Sequence, residues 1–241
     1  MSENSSQVFY INTETDELKS KAAMIAAGWI ELSEETYGDK YIYPALYSMA
    51  PLHSVLDMSE GDTVGNWKVA SQEDLKGRDL GYVDIYIPST GKQYKIITDS
   101  VSWPGAVKGS LKWEGKLAQF ETEEEAKNFW DVLITSNVNF NEMPSASVGG
   151  GEAKYLWLGA GDAVEEGKWL WNDDSGNGIE LSLENPRWGD SQPDNFGGTQ
   201  HSLALALENW PNGEDPSNLL GRAGQWNDLD GIKNKLFYLV E

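Results

Sequence analysis

An α+β fold follows from three features of the 241-residue sequence. Two helix starts carry capping signals: Ser102 stands ahead of "WPGAVKGSLKW", and Thr122 is followed three residues later by Glu125 ahead of an amphipathic run. After the second helix the chain turns to short β-runs, "KYLWLGAG", "GKWLW", "HSLALAL" and "KLFYLVE". Between those runs lie most of the Asn, Asp, Gly and Pro residues, so the loops are long and polar and are the expected seat of function.

Taken in order, residues 1–14 are polar and expected to be loose. "DELKSKAAMIAAG" reads as a short helix with Asp16 as N-cap and Gly28 as its stop. "WIEL", "YIYPALY" and "NWKVA" read as strands joined by Gly/Asp turns, which makes residues 1–78 a small mixed, strand-rich unit without a chemistry-bearing motif. A second domain is expected over residues 79–241. "GYVDIYIPSTGKQYKII" alternates apolar and polar residues around Ser-Thr-Gly, a hairpin signal. The first helix carries Pro104 in its first turn, where the missing N–H does no harm. "GKLAQF" reads as a strand, and Ala126, Phe129, Trp130, Leu133 and Ile134 recur at helical spacing as a core stripe. "SNVNFNEMPSASVGGG" reads as a flexible Gly/Ser/Asn-rich insertion, and no internal repeat is present.

Composition removes whole classes of function. A formal net charge of −21 opposes binding to nucleic acid or anionic membrane and concentrates cations at the surface. The absence of cysteine excludes disulfides, zinc–thiolate sites and thiol nucleophiles, and two histidines, His53 and His201, are too few for a His-rich metal site. No apolar run approaches the roughly 20 residues that span a bilayer, and "AAMIAAGWI" is short and follows an acidic start, unlike a signal peptide. With 39 acidic residues, any carboxylate pair could be read as catalytic, and nothing singles one out; the chain is not expected to be an enzyme.

One polar stretch stands apart. "WGDSQPDNFGGTQ", Trp188 to Gln200, packs carboxylates and carboxamides together with no basic residue, and "GQWNDLDG" adds Asn227 and Asp228. Hard cations such as calcium take six to eight oxygen ligands, and Gln192, Asp194, Gln200, Asn227 and Asp228 are side chains of that kind. Pro193 fixes the separation of Gln192 and Asp194, and a cis bond there would turn both to one side. The plainer alternative is a solvated turn. A second pattern, Asp173, Ser175, Asn177, Gly178 and Glu184, has EF-hand spacing, but the preceding "GKWLW" reads as strand where an EF-hand needs a helix.

From about Tyr94 to Glu241 the chain resembles the C-type lectin-like domain. The two helices match that fold's opening half, "LWLGAGD" its central strand, "EEGKWLW" its Glu-Gly-x-(Trp/Phe) strand, and "QWND" with the terminal "FYLVE" its last two strands. The resemblance implies two helices, short antiparallel strands and long calcium-binding loops. It also implies a principal calcium held by Gln192, Asp194, Asn227 and Asp228, the positions of the family's Gln-Pro-Asp and Trp-Asn-Asp triplets. Gln200 stands where the family usually has Glu, which implies weaker binding, toward the ~10⁻⁴–10⁻³ M of extracellular modules. By the same resemblance, Ca²⁺ accepts two adjacent sugar hydroxyls while Gln192, Asp194, Gln200, Asn227 and Asp228 hydrogen-bond them. Gln-Pro-Asp goes with galactose-type ligands in the family, fucose also offering a cis-diol, and Phe196 stands where a stacking aromatic is found or else wedges the loop. A second metal at Asp162, Glu166 and Asn195 is implied with less support, since Asn195, Gln200 and His201 replace acidic residues; His201 otherwise reads as a strand-edge residue.

The family's two disulfides are missing, with Ser202 and Val240 at positions where a bridge usually closes. Losing such a bridge typically costs about 2–5 kcal/mol, so a larger core or bound calcium must compensate. Lack of cysteine, acidity and the extra N-terminal unit resemble a module of a large bacterial surface adhesin of the RTX type. The expectation is an extracellular module that binds galactose- or fucose-terminated cell-surface glycans and is flanked by further adhesin domains. The alternatives are a lectin-fold module that binds protein or peptide, and calcium as a purely structural staple.

Overall fold

The computed structural model describes residues 9–20, 63–64, 66–71, 80–113, 115–136, 138–171 and 178–241. The chain divides into two units, Met1–Asp79 and Leu80–Glu241. In the first, β1 (Phe9–Asn12), β2 (Leu18–Ser20), β3 (Thr63–Val64) and β4 (Trp67–Val69) pair antiparallel in the order β2-β1-β4-β3. Asn12 builds the first turn, its side-chain oxygen accepting the N–H groups of Glu14 and Thr15. Asp16 then takes a left-handed φ of 59°.

That turn takes Asp16 out of the helix-cap role expected of it and feeds Leu18–Ser20 straight back onto β1. The rest of that segment lies outside the described residues, as do "WIEL" and "YIYPALY". Nor are residues 9–12 loose: burial of Tyr10 and Ile11 holds them in a strand. "NWKVA" supplies β4 as expected.

The second unit opens with the expected hairpin, β5 (Tyr82–Ile87) and β6 (Lys92–Val101), paired from Tyr82↔Ile97 to Ile87↔Lys92. Helix α1 (Trp103–Ser110) is capped by the Ser102 hydroxyl, which accepts from the Gly105 N–H at 3.3 Å. Helix α2 (Glu123–Thr135) starts on Thr122, whose hydroxyl accepts from the Glu125 N–H at 3.1 Å. Ala126, Phe129 and Leu133 are buried, whereas Ile134 is 49% exposed; the apolar stripe is narrower than its spacing suggested.

Then come β7 (Tyr155–Gly161), β8 (Leu170–Trp171), β9 (Ile179–Glu180), β10 (Ser202–Ala206), β11 (Trp226–Leu229) and β12 (Leu236–Val240). They join the hairpin in one sheet of order β11-β10-β7-β12-β6-β5, with β8 beside β7 and β9 beside β8. Among the described strands only the β12–β7 pair is parallel. "GKLAQF" does not form a strand of its own: Leu117 makes a single bridge to Val240, and Leu117, Ala118 and Phe120 are buried against the sheet. Strand β7 is buried along nearly its whole length because both faces are covered. Leu156, Leu158 and Ala160 enter one core with Phe129 and Trp226, and Tyr155 and Trp157 enter another with Trp210 and Tyr238.

The insertion expected to be flexible is instead packed. Met143 and Ala146 are buried, and the Asn234 amide takes both backbone groups of Val148, accepting its N–H at 3.0 Å and donating to its carbonyl at 2.8 Å. Among the described residues no helix is long and apolar enough to cross a membrane.

Glu125 joins α2 to the hairpin. It pairs with the Lys92 ammonium and accepts from the Tyr94 hydroxyl at 2.9 Å and the Glu121 N–H at 3.0 Å. Burial pushes its pKa up, but these donors outweigh burial and hold it below the ordinary carboxylate value. A carboxylate with a depressed folded pKa stabilises at neutral pH and loses that contribution as pH falls through the folded value. Glu125→Gln is therefore expected to flatten the acid limb of the stability curve, measured by denaturant titration from neutral pH downward. Leu133→Ala should cost about 2–5 kcal/mol in the same assay, and Ile134→Ala no more than about 0.5 kcal/mol.

Candidate functional site

The site is built where β11 meets the loop that follows Trp188. Trp226, at the start of β11, is fully buried and packs edge-on against Trp171 and Trp188, with ring centroids 5.7 and 6.1 Å away, and stacks on Phe120. Trp188 also bridges Trp226 through the backbone, and the Gly189 N–H donates to the Trp226 carbonyl at 3.0 Å. These contacts fix the loop's root immediately beside Asn227 and Asp228.

Asp228 is wholly buried. Its Oδ1 accepts the Asp194 N–H at 3.2 Å and its Oδ2 the Asn195 N–H at 2.8 Å. Burial pushes its carboxyl up to about 6 and the Asp194 charge adds to that, while the two N–H groups pull the other way. The Gln192–Pro193 bond is cis. Gln192 is anchored by its N–H to the Gly189 carbonyl at 3.1 Å, and its side-chain Oε1 is buried with no hydrogen-bond partner among the described residues. The Phe196 N–H is shared between Asp194 Oδ1 at 3.2 Å and Gln200 Oε1 at 2.6 Å. Gln200, 2% exposed, donates its Nε2 to the Gly149 carbonyl at 3.1 Å.

Hydrogen bonds thus bring Asp194, Gln200 and Asp228 into one loop cluster. Gln192 joins it along the chain, through Gly189 and Trp226. Asn227 makes no side-chain bond to the other four; its Nδ2 donates to the Tyr155 hydroxyl at 3.2 Å, which donates to the Gly150 carbonyl. Phe196 is 70% exposed, so its ring does not wedge the loop. A cavity of about 280 Å³, walled by Trp103, Val164, Leu170 and Ile232 and also by Asp162 and His201, holds none of the five residues.

Asp162, Glu166 and His201 form a second group, with one potential ligand atom each within 4.8 Å of the others. The sequence placed His201 at a usually acidic position of the second metal site, or otherwise at a strand edge. Residues 172–177 of the EF-hand-like run lie outside the described residues, but the run is preceded by strand β8, where an EF-hand needs a helix, and its own Ile179–Glu180 pairs antiparallel with β8.

The residues missed were Gly149, Tyr155 and Asn234, and one signal for them lay in the run Gly149–Gly151. A Cβ at Gly149 would lie 2.7 Å from Gln200 Nε2, one at Gly150 2.4 Å from the Ala146 Cβ, and one at Gly151 2.7 Å from the Pro211 Cα. Those glycines mark close approach rather than looseness.

Two helices against an antiparallel-rich sheet, with long loops between its later strands, make an α+β fold of the lectin type. The chain belongs to the C-type lectin family: it is 38% identical over 134 residues to salivary C-type lectin 1 of Aedes albopictus, the match covering 53% of this chain and 68% of that protein. Perlucin of Haliotis laevigata is 42% identical over 87 residues, 36% of this chain and 44% of that protein. The mouse scavenger receptor C-type lectin carbohydrate-recognition domain superposes with a TM-score of 0.42 at 18% identity, over 68% of this chain and 95% of that one. No family model matches the chain.

The crowding at Gly149 gives a direct test of the loop contact. Gly149 and Gly213 share a left-handed φ, 70° and 80°, but nothing lies within 4 Å of a Cβ at Gly213. Gly213→Ala should cost about 1–2 kcal/mol for the backbone alone. Gly149→Ala should cost clearly more, read by denaturant unfolding of the two variants side by side.

Proposed function

We propose that the second unit is a calcium-dependent carbohydrate-binding module. The observation that carries this reading is the buried Gln192 Oε1, an acceptor without a donor among the described residues, on the loop that also bears Asp194 and rests on the buried Asp228 carboxylate. A buried acceptor left unpaired costs about 1–3 kcal/mol, and the buried Asp228 carboxyl, pushed up further by the nearby Asp194 charge, favours a positive partner. An oxygen-seeking divalent cation answers both needs. Gln192, Asp194, Asn227 and Asp228 would hold it, with the remaining lone pair of Gln200 Oε1 facing the same loop. The two carboxylates match one divalent charge.

Bound calcium supplies open coordination positions for two adjacent sugar hydroxyls. The chain's own residues then do the selecting. Asp194 accepts hydrogen bonds from hydroxyls, and Asn227 orients its amide by giving one N–H to Tyr155. Gln200, held at both ends of its amide by Phe196 and Gly149, keeps the loop's shape. Phe196 presents an exposed ring that can cover the apolar face of a galactose-type sugar, contributing roughly 1 kcal/mol. Galactose- or fucose-terminated cell-surface glycans are therefore the proposed ligands, with attachment rather than catalysis the outcome. The cysteine-free core, the −21 charge and the N-terminal unit support an extracellular setting as one module of a larger, RTX-type adhesin. A second reading, in which the loop binds protein and calcium is only structural, draws on Gln200 in place of an acidic ligand.

A glycan array probed in calcium, in chelator, and with Asp194→Ala separates these readings. Binding to galactose- or fucose-terminated glycans that disappears in chelator and in the variant is the expected result. Phe196→Ala should weaken galactose binding about five-fold, the equivalent of roughly 1 kcal/mol. A blank array from a protein still stabilised by calcium would sink the glycan reading and leave the second.

A further inference from the structure

The Asp162–Glu166–His201 group has the makings of a second metal centre, but its hydrogens lie in the wrong places for calcium. Asn195 settles the orientation. Its Oδ1 accepts the Gln200 backbone N–H at 2.9 Å, so the other end of the amide, Nδ2, faces Glu166 Oε2 at 2.6 Å as a donor. Asp162, 3% exposed, accepts the Gly167 N–H on Oδ2 at 2.9 Å and meets His201 Nδ1 with Oδ1 at 3.0 Å. A carboxylate only accepts, so Nδ1 carries the ring hydrogen. The same nitrogen lies 3.5 Å from Glu166 Oε2. N–H bonds to the carboxylates do not by themselves set this group apart, since Asp228 accepts two as well. What does is that two of the group's side-chain positions, His201 Nδ1 and Asn195 Nδ2, offer an N–H where calcium requires oxygen.

We infer that this group is a cation-free brace: His201, Asn195 and the Gly167 N–H close the 162–168 loop onto the 195–201 segment, and the module holds one calcium ion, not two. Only the ion count rests on the calcium reading above; the brace does not. Its consequence for that site is direct. The backbone N–H of Asn195 serves Asp228 while its side chain serves Glu166, so the brace sets the principal loop before any ion arrives.

The test uses the whole chain in two arms. Calorimetric titration should find one calcium ion per chain, abolished by Asp228→Asn. Two ions, the second lost in His201→Ala, would overturn the brace, as would zinc binding that depends on His201. If no calcium binds, the calcium reading fails and the second arm decides the brace alone. In chelator, trypsin should cut after the exposed Lys168 several-fold faster in His201→Ala than in the parent. The near-isosteric Asn195→Asp, which keeps the Oδ1 acceptor but sets a carboxylate against Glu166, should do the same if His201→Ala fails to fold. Unchanged cleavage in the folded variants refutes the brace.

Discussion

A carboxylate wholly removed from water dictates the shape of this module's functional end. Asp228 sits on an ordered strand, and taking its charge out of solvent is tolerable only if fixed dipoles meet both oxygens. The partners it finds are backbone N–H groups of Asp194 and Asn195, borrowed from a loop more than thirty residues earlier. Those N–H groups must arrive side by side, so the whole 188–200 loop has to be held in one conformation. The tryptophan cluster at its root, the Gln200–Gly149 bond at its far end and the Asn195–Glu166 bond at its flank each serve that requirement.

The same constraint explains how the fold manages without disulfides. Where a cysteine pair would tie loop to core, this chain uses large aromatic side chains and amide pins. Trp188, Trp226, Trp169 and Trp171 pack around the loop's root, and aromatic pairs of this geometry contribute about 0.5–1.5 kcal/mol each beyond the area they bury. Asn234 ties the 148 region to the β11–β12 connection through two bonds to one residue. Leu117 bridges Val240, and Ala118 bonds to both Leu239 and Gly159, so this segment links β12 to β7 inside the sheet.

Much of this architecture was legible in the sequence because its signals are local. The Thr122 and Ser102 caps, the Ser-Thr-Gly hairpin and the even apolar runs each act within a few residues, and each formed as written. Local signals misled where a stronger local competitor or a distant partner intervened. Asp16 is a plausible helix cap, but the Asn12 turn captures the backbone first. "GKLAQF" has strand composition, yet it pairs only briefly: Lys116 and Glu241 exchange backbone bonds, the Ala118 N–H donates to the Leu239 carbonyl, and the Ala118 carbonyl accepts the Gly159 N–H. The Gly149–Gly151 run looked loose because glycine's role in close packing depends on Gln200 and Pro211, both about fifty residues or more away along the chain. His201 was invisible as a brace for the same reason, since Asp162 and Glu166 are 39 and 35 positions distant.

That distance-dependence also recasts the glutamine that looked like a defect. Read along the chain, Gln200 is a missing acid in a cation site. Read in space, it faces the Gly149 carbonyl, an acceptor that a carboxylate would repel and an amide N–H₂ satisfies, while its Oε1 still takes the Phe196 N–H as an acid's oxygen would. A glutamate here would restore one negative charge and break the contact that holds the loop to the 149–151 turn. The residue type is thus set by the backbone opposite it, and two amides, Gln200 and Asn195, do in this loop what charge would otherwise have to do: one pins it to the sheet side, the other to the 162–168 loop. Preorganisation by neutral donors fixes the loop around Asp194 and Asp228, and a loop fixed before binding loses less entropy when a ligand arrives.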